Sequence, residues 1–285
     1  MENNVEESGL QIIESTGVDV FEAQERAAID IQITTAKRYP RNLMRVKDNS
    51  ISIVSMNMEV AQSCRYAKPI GTGKVSGPSV HLARILCQQY GNIRVQQRIK
   101  QVTDKTIVAE AVAFDLETNY AVAVEARKSI IGRDGRRFTE SVIETNAMAI
   151  LAIAERNAIL KIIPKAITDT VYKAAFDFAN GDLSDEQKIL AARKKMLDFF
   201  AEKYDATEDQ VLKTIGLRSV GQIKSEHIAD LRAFAQSLKD GDITADELFG
   251  KKPESAINPL KDKRSKQAEN KTEDNPEKPL TEVFK

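Results

Sequence analysis

Tryptophan is absent from this chain, and cysteine and histidine occur twice each in 285 residues. Each scarcity narrows the chemistry. Cys64 and Cys87 stand far apart, without CxxC spacing and among apolar neighbours on expected helices. That predicts buried free thiols of a reducing cytosol, and it excludes a disulfide framework. His81 and His227 fall in different parts of the chain, so metal clusters and acid–base pairs built on histidine are not expected. No apolar run approaches the roughly eighteen residues of a membrane span, and no basic, apolar, small-residue leader opens the chain. The expectation is a cytoplasmic protein with no membrane partner.

Net charge is also lacking, with 42 basic and 42 acidic side chains, yet the charge is segregated. Residues 1–30 hold eight acidic and one basic side chain, whereas residues 31–105 hold thirteen basic and three acidic. A basic region behind an acidic leader points to a polyanionic partner more directly than a neutral total does.

What the sequence does have is a centre. Three β-rich runs, Ile93 to Val102, Ile107 to Leu116 and Tyr120 to Ile131, are separated by Asp104-Lys105 and Glu117-Thr118-Asn119. Breaks this short impose antiparallel neighbours, because a parallel crossover needs a dozen residues or more. Val108, Val112, Phe114 and Leu116 share one face of their run, and Tyr120, Val122 and Val124 share one face of theirs. After an Asp134-Gly135 turn, Ser141 with Glu144 has capping-box spacing and opens a helix to Ile163 that is apolar nearly all round, hence buried. The predicted fold class is α+β: an antiparallel β-meander packed on a long buried helix, with a small C-terminal helical bundle.

Before the meander, helices are expected over Phe21 to Tyr39 and Ile51 to Tyr66, joined by a basic connector holding Arg41, Arg45 and Lys47. A glycine-rich loop or short hairpin, Lys68 to Pro78, leads to a helix opened by Ser79 and stopped by Gly91. Pro164 starts a helix to Phe178. The predicted organisation is an acidic disordered leader over 1–18, an α+β core over 19–180, a helical partner-binding module over 184–250 and a disordered tail over 251–285. In the module, Ser184 to Gln187, Thr207 to Gln210, Ser219 to Gln222 and Thr244 to Glu247 repeat the capping spacing. Leu280, Val283 and Phe284 make the chain's end apolar again.

Catalytic signals are thin. A phosphate loop needs glycine, four residues, then Gly-Lys-Ser/Thr, so that backbone N–H groups and the lysine surround the phosphates. Here Gly73-Lys74 precedes Val75, and Lys68 stands where the first glycine belongs. A metal-dependent nuclease would place Asp115 and Glu125 on adjacent strands around Mg²⁺, but Glu125-Ala126-Arg127-Lys128 puts arginine where the lysine of such sites belongs. No cofactor is expected.

Cations are the stronger lead. Arg94, Arg98 and Lys100 alternate with apolar residues on the first strand and so project from one side. Lys37, Arg38, Arg41 and Arg45 precede them, with Lys68 and Lys74 on the glycine-rich loop. Arg127, Lys128, Arg133, Arg136 and Arg137 follow. A row of cations is what neutralising a row of phosphates requires. Tyr39, Tyr66, Tyr90 and Phe138 lie near these charges and are candidates for stacking on unpaired bases.

Four stretches carry a family likeness: Gly77-Pro78-Ser79-Val80-His81-Leu82-Ala83, then Tyr90-Gly91-Asn92-Ile93, then Ala113-Phe114-Asp115-Leu116-Glu117-Thr118-Asn119, then Glu155-Arg156-Asn157-Ala158-Ile159-Leu160-Lys161-Ile162-Ile163-Pro164. With the order helix, hairpin loop, helix, meander, long apolar helix, residues 20–180 resemble the phage single-strand annealing recombinases of the RecT/Redβ/Erf/Sak superfamily. The resemblance implies ATP-independent annealing of complementary single-stranded DNA by a homo-oligomeric ring or filament in a bacterial host's cytoplasm. It also implies that 184–250 contacts a host single-stranded-DNA-binding protein or a phage exonuclease. A metal-dependent nuclease using Asp115 and Glu125, or a non-enzymatic interaction protein, are the alternative readings.

Overall fold

The three predicted β runs form one antiparallel sheet in the order β3-β4-β5, with β3 over Ile93–Val102, β4 over Thr106–Asp115 and β5 over Tyr120–Ser129. The computed structural model describes residues 22–70, 73–132, 135–181 and 185–250. The expected acidic leader and the tail with Leu280, Val283 and Phe284 lie outside the described residues. Asn119 closes the β4–β5 turn in the left-handed region, at φ 59°, a conformation asparagine tolerates better than most residues.

The long helix α5, Glu140–Ile162, covers one side of the sheet. That side is built from Ile107, Ala109, Ala111 and Ala113 of β4, all at most 1% exposed. Three alanines in a row bring a helix backbone close to the strand, and Ile143, Ile150, Ala154, Ala158 and Ile159 fill the gap from above. Each buried isoleucine contributes about 1.5–3 kcal/mol by leaving water. Val108, Val112 and Phe114, the larger apolar residues of β4, point the other way. The helix begins one residue before the expected Ser141, with Thr139 as N-cap and no side-chain cap bond. Its start is set by strand-like pairing instead: Ile131 bridges Arg137, and the Phe138 N–H donates to the Ile130 carbonyl.

Upstream, α1 spans 22–38, and the single helix expected from Ile51 to Tyr66 is two shorter ones, α2 over Leu43–Val54 and α3 over Met58–Ser63. The reason is capping. The Asn42 side chain accepts from the Arg45 N–H and that of Asn57 from the Val60 N–H, so each asparagine starts a helix. The expected basic connector is thus partly the first turns of α2. Strands β1 (Arg65–Ile70) and β2 (Gly73–Pro78) form an antiparallel hairpin. Ser79 caps α4, Val80–Tyr90, which Gly91 ends at φ 64°. Helix α6 runs Lys165–Gly181, as the Pro164 signal indicated.

The C-terminal helices are α7 (Glu186–Tyr204), α8 (Glu208–Thr214), α9 (Ser225–Lys239) and α10 (Ala245–Phe249). Thr207 and Gln210 form the full capping box, and Thr244 and Glu247 exchange the same pair of bonds. Ser219 to Gln222 holds only a 3₁₀ turn, and Asp185 caps α7 while Ser184 lies outside the described residues. Phe200, Val211, Leu231 and Phe234 form the centre of this bundle, and Ala67 of β1 belongs to the same cluster. Contacts therefore cross the expected boundary at Asn180, and the residues up to Phe249 cluster as one compact unit.

Candidate nucleic-acid interface

Strand parity places Arg94, Gln96 and Arg98 of β3, Glu110 of β4, and Glu125 and Arg127 of β5 on the side of the sheet away from α5. Register puts Arg98 opposite Glu110 and Glu110 opposite Glu125. Two glutamates directly across a ladder repel. The structure resolves this with a β-bulge between Ile99 and Gln101, which re-aims Lys100 so that its ammonium donates to Glu110 Oε1 at 3.1 Å and also to Glu125. Arg98 donates to Glu110 Oε2 at 2.9 and 2.7 Å, and Arg127 approaches Glu125 at 3.5 Å. Hydrogen bonds from Arg98 and then Lys100 hold the Glu110 carboxyl below the usual carboxylate range, and Lys100 does the same for Glu125. Depth separates the signs: the Arg98 and Arg127 side chains are 73% and 72% exposed, Glu110 only 12%. Three cations meet two carboxylates, leaving the network one positive charge in excess, with the two arginines outermost and Lys100 and Glu125 about equally exposed.

Arg94 is tied to α1, donating to Glu25 Oε1 at 3.0 Å and Gln32 Oε1 at 3.3 Å. Lys37 and Arg38, at the end of α1, are exposed, as is Tyr39 beside them. Arg45 sits on the first turn of α2, also exposed. Arg41 is different: its guanidinium is held by Asp115 and Glu117 and lies 3.9 Å over the Tyr90 ring, with the side chain 7% exposed. A phosphate cannot reach it without breaking that cluster.

The hairpin and Lys128 face the C-terminal helices. Asp230 of α9 binds both Lys74 and Arg65, and the Ser237 hydroxyl accepts from the Ala67 N–H at 2.9 Å. Lys128 lies on the α5 side of β5, donates to the Gly241 carbonyl at 3.0 Å, and has its pKa lowered by burial. Lys68 is exposed on the hairpin. Arg137 pairs with Glu140, Arg136 precedes it, and Arg133 lies outside the described residues. The predicted cations thus divide among an open sheet face, the α1–α2 corner, and a docking seam under α9. Of the four aromatic candidates, Tyr39 is exposed, Tyr90 is buried under Arg41, Tyr66 lies under Arg156, and Phe138 is partly buried against the core.

The nuclease geometry is not formed. Asp115 pairs with Tyr120 and Glu125 with Glu110, so the two carboxylates lie on opposite sides of the sheet. Asp115 is moreover engaged by Arg41 and Glu125 by Lys100. Among the described residues no group of three or more His, Cys, Asp or Glu side chains is arranged to hold a metal ion. Gly73-Lys74 begins a strand, with Gly71 and Thr72 outside the described residues. His81 contacts Asp240 and Gln236, and His227 accepts from the Lys224 N–H. Both histidines are structural contacts. Sequence reasoning missed Glu25, Gln32 and Glu110, the partners that hold the open-face cations in place.

No helix among the described residues is long and apolar enough to cross a membrane. Compared with protein-family models, curated proteins and solved structures, the chain matches none.

Proposed function

We propose that the chain binds single-stranded DNA on the open side of the meander and anneals complementary strands without ATP, as a homo-oligomer. Arg98, Lys100 and Arg127 hold the strand by its phosphates, Arg94 lies beside them at the α1 end, and Lys37, Arg38 and Arg45 extend the track past the α1–α2 corner. Arg136 and Arg137 are the candidates beyond the other end of the sheet. Phosphate contacts position a strand without reading its sequence and screen its repulsion from a second strand. Such a mechanism needs no nucleotide, metal or reactive side chain. The helical module leaves the exposed Leu190 of α7 for a protein partner, a single-stranded-DNA-binding protein or an exonuclease.

The observation that carries this reading is the excess of cations on the open face, with Arg98 and Arg127 far more exposed than Glu110 and Lys100 shared between Glu110 and Glu125. A fluorescence annealing assay with complementary oligonucleotides, lacking ATP and divalent metal, tests it beside size-exclusion chromatography with and without DNA. Accelerated annealing and a DNA-dependent oligomer are expected. A chain that neither binds nor anneals single strands sinks the proposal.

A further inference from the structure

Beside the Arg94 end of the open face, α1 and the start of β3 border an open, shallow cleft of about 320 Å³. Its lining is mixed: Ile31, Ile93 and Leu116 supply aliphatic surface, and Gln32, Thr35, Asn92 and Arg94 supply polar groups. The hydrogen-bonding inventory at its rim is unbalanced. Gln32 Oε1 accepts from Arg94, and Asn92 Nδ2 donates to the Tyr39 carbonyl and to Glu117. Among the described residues, nothing bonds the other ends of these two amides, Gln32 Nε2 and Asn92 Oδ1. Arg94 Nε is buried without an acceptor. A buried donor left unpaired is costly, and this one, closed off from solvent, meets a ligand's acceptor only when the Arg94 side chain shifts.

We infer that this cleft receives one unstacked nucleobase of the bound strand, an assignment that rests on the single-strand reading of the neighbouring face. A base brings two flat apolar faces for Ile31 and Ile93 and an edge that mixes acceptors with donors. Those edge groups complement an amide N–H, an amide oxygen and a guanidinium N–H, the side-chain types that read base edges elsewhere. A phosphate fits less well. The charge of Arg94 is already opposed by Glu25, Glu117 lies next to Asn92, and the aliphatic part of the lining offers an anion nothing. Seating one base here anchors the strand's register at the α1 end and leaves the others over the sheet, free to pair.

The test compares a labelled oligothymidylate with the same backbone built from abasic sugars, by anisotropy titration against the full chain and against Ile31→Ser. Ile31 is 66% exposed, so the substitution leaves the fold intact. The wild type is expected to bind the base-bearing oligomer roughly tenfold more tightly. In Ile31→Ser that gap shrinks several-fold while the abasic affinity stays the same. Equal binding of both oligomers by the wild type overturns the cleft and leaves the cationic face standing. A gap unchanged in Ile31→Ser also overturns it. A wild type that binds neither oligomer overturns both readings.

Discussion

Arg41 and Asp115, 74 residues apart in sequence, meet in a bidentate ion pair that fastens the chain just ahead of α2 to the last residue of β4. Both side chains are nearly buried, at 7% and 5% exposure, and Glu117 and Tyr90 complete the cage. Removing one partner leaves a buried charge uncompensated, so Arg41→Ala should cost about 3–5 kcal/mol in urea unfolding. The pH dependence has a definite sign. Burial alone would raise the Asp115 carboxyl, but its bonds with Arg41, Thr118 and the Glu117 N–H outweigh that and hold it below its ordinary value. A depressed carboxyl stabilises the fold above its unfolded pKa, roughly 3.9, and the contribution disappears as pH falls through the folded value. Below pH about 4 the wild type should therefore lose stability more steeply than Asp115→Asn.

The alanine row under α5 makes a second expectation. Ala109, Ala111 and Ala113 are each 0% exposed. Ala111→Leu has no space to enter without pushing α5 off the sheet, and such overpacking costs typically about 1–3 kcal/mol. Val112→Leu, one residue away on the open side and partly exposed, should be nearly neutral. Equal losses for the two would contradict the assignment of sheet sides.

The thiols provide a solution check on the core. Burial pushes Cys64 up to about 12 and Cys87 to about 11. Thiolate is the reactive form, so neither should react with a disulfide reagent near pH 8 in the native state, and both should react in denaturant.

How much of this was legible beforehand follows from which signals are local. Turn residues and alternation gave the meander and its order, because a two- to four-residue break leaves antiparallel pairing as the available geometry. Capping gave Ser79 and Thr207. The same chemistry at Asn42 and Asn57 was passed over in favour of a longer apolar period. Long-range partners were not legible. Nothing around Arg41 indicates a carboxylate on a strand end far away, and nothing around Lys74 or Lys128 points to α9 or to Gly241 just beyond it. The Glu110–Glu125 opposition was within reach: once the β4–β5 turn is fixed, paired positions keep a constant sum, and 110 faces 125 as 115 faces 120. All of the cations were read as candidates for phosphate because a sequence lists charges without their counter-charges.

The seam under α9 bears on where the chain can be cut. Asp230 holds Arg65 and Lys74, Arg156 binds Asp242 at 3.3 Å, and Ala67 sits in the cluster centred on Phe200 and Phe234. A fragment ending at Asn180 would expose that apolar surface and leave Arg156, whose side chain is 9% exposed, without its carboxylate. It should unfold well below the full chain or fail to fold, as circular dichroism melts would report. A fragment melting like the full chain would mean that the seam contributes little.

Charge on the open face can be moved in both directions. Replacing Arg98, Lys100 and Arg127 together by alanine removes three cations and uncovers Glu110 and Glu125. Single-strand affinity should fall, and the slope of log affinity against log salt should become shallower by up to about 2, given roughly 0.7 per phosphate contact. Glu110→Gln with Glu125→Gln should do the opposite, tightening binding several-fold at low salt, because the same three cations then stand unopposed. Acid should imitate that double variant. Both carboxyls titrate below the ordinary glutamate range, so wild-type affinity should rise as pH drops through those lowered values, while the double variant stays flat across the same interval. The exposed positions of Arg98 and Arg127 predict melting temperatures within a few degrees of wild type when those two alone are replaced, whereas removing Lys100 as well leaves Glu110 opposed to Glu125 and should lower the melt further. Affinity indifferent to both sets of changes would mean that DNA, if bound, lies elsewhere on the molecule.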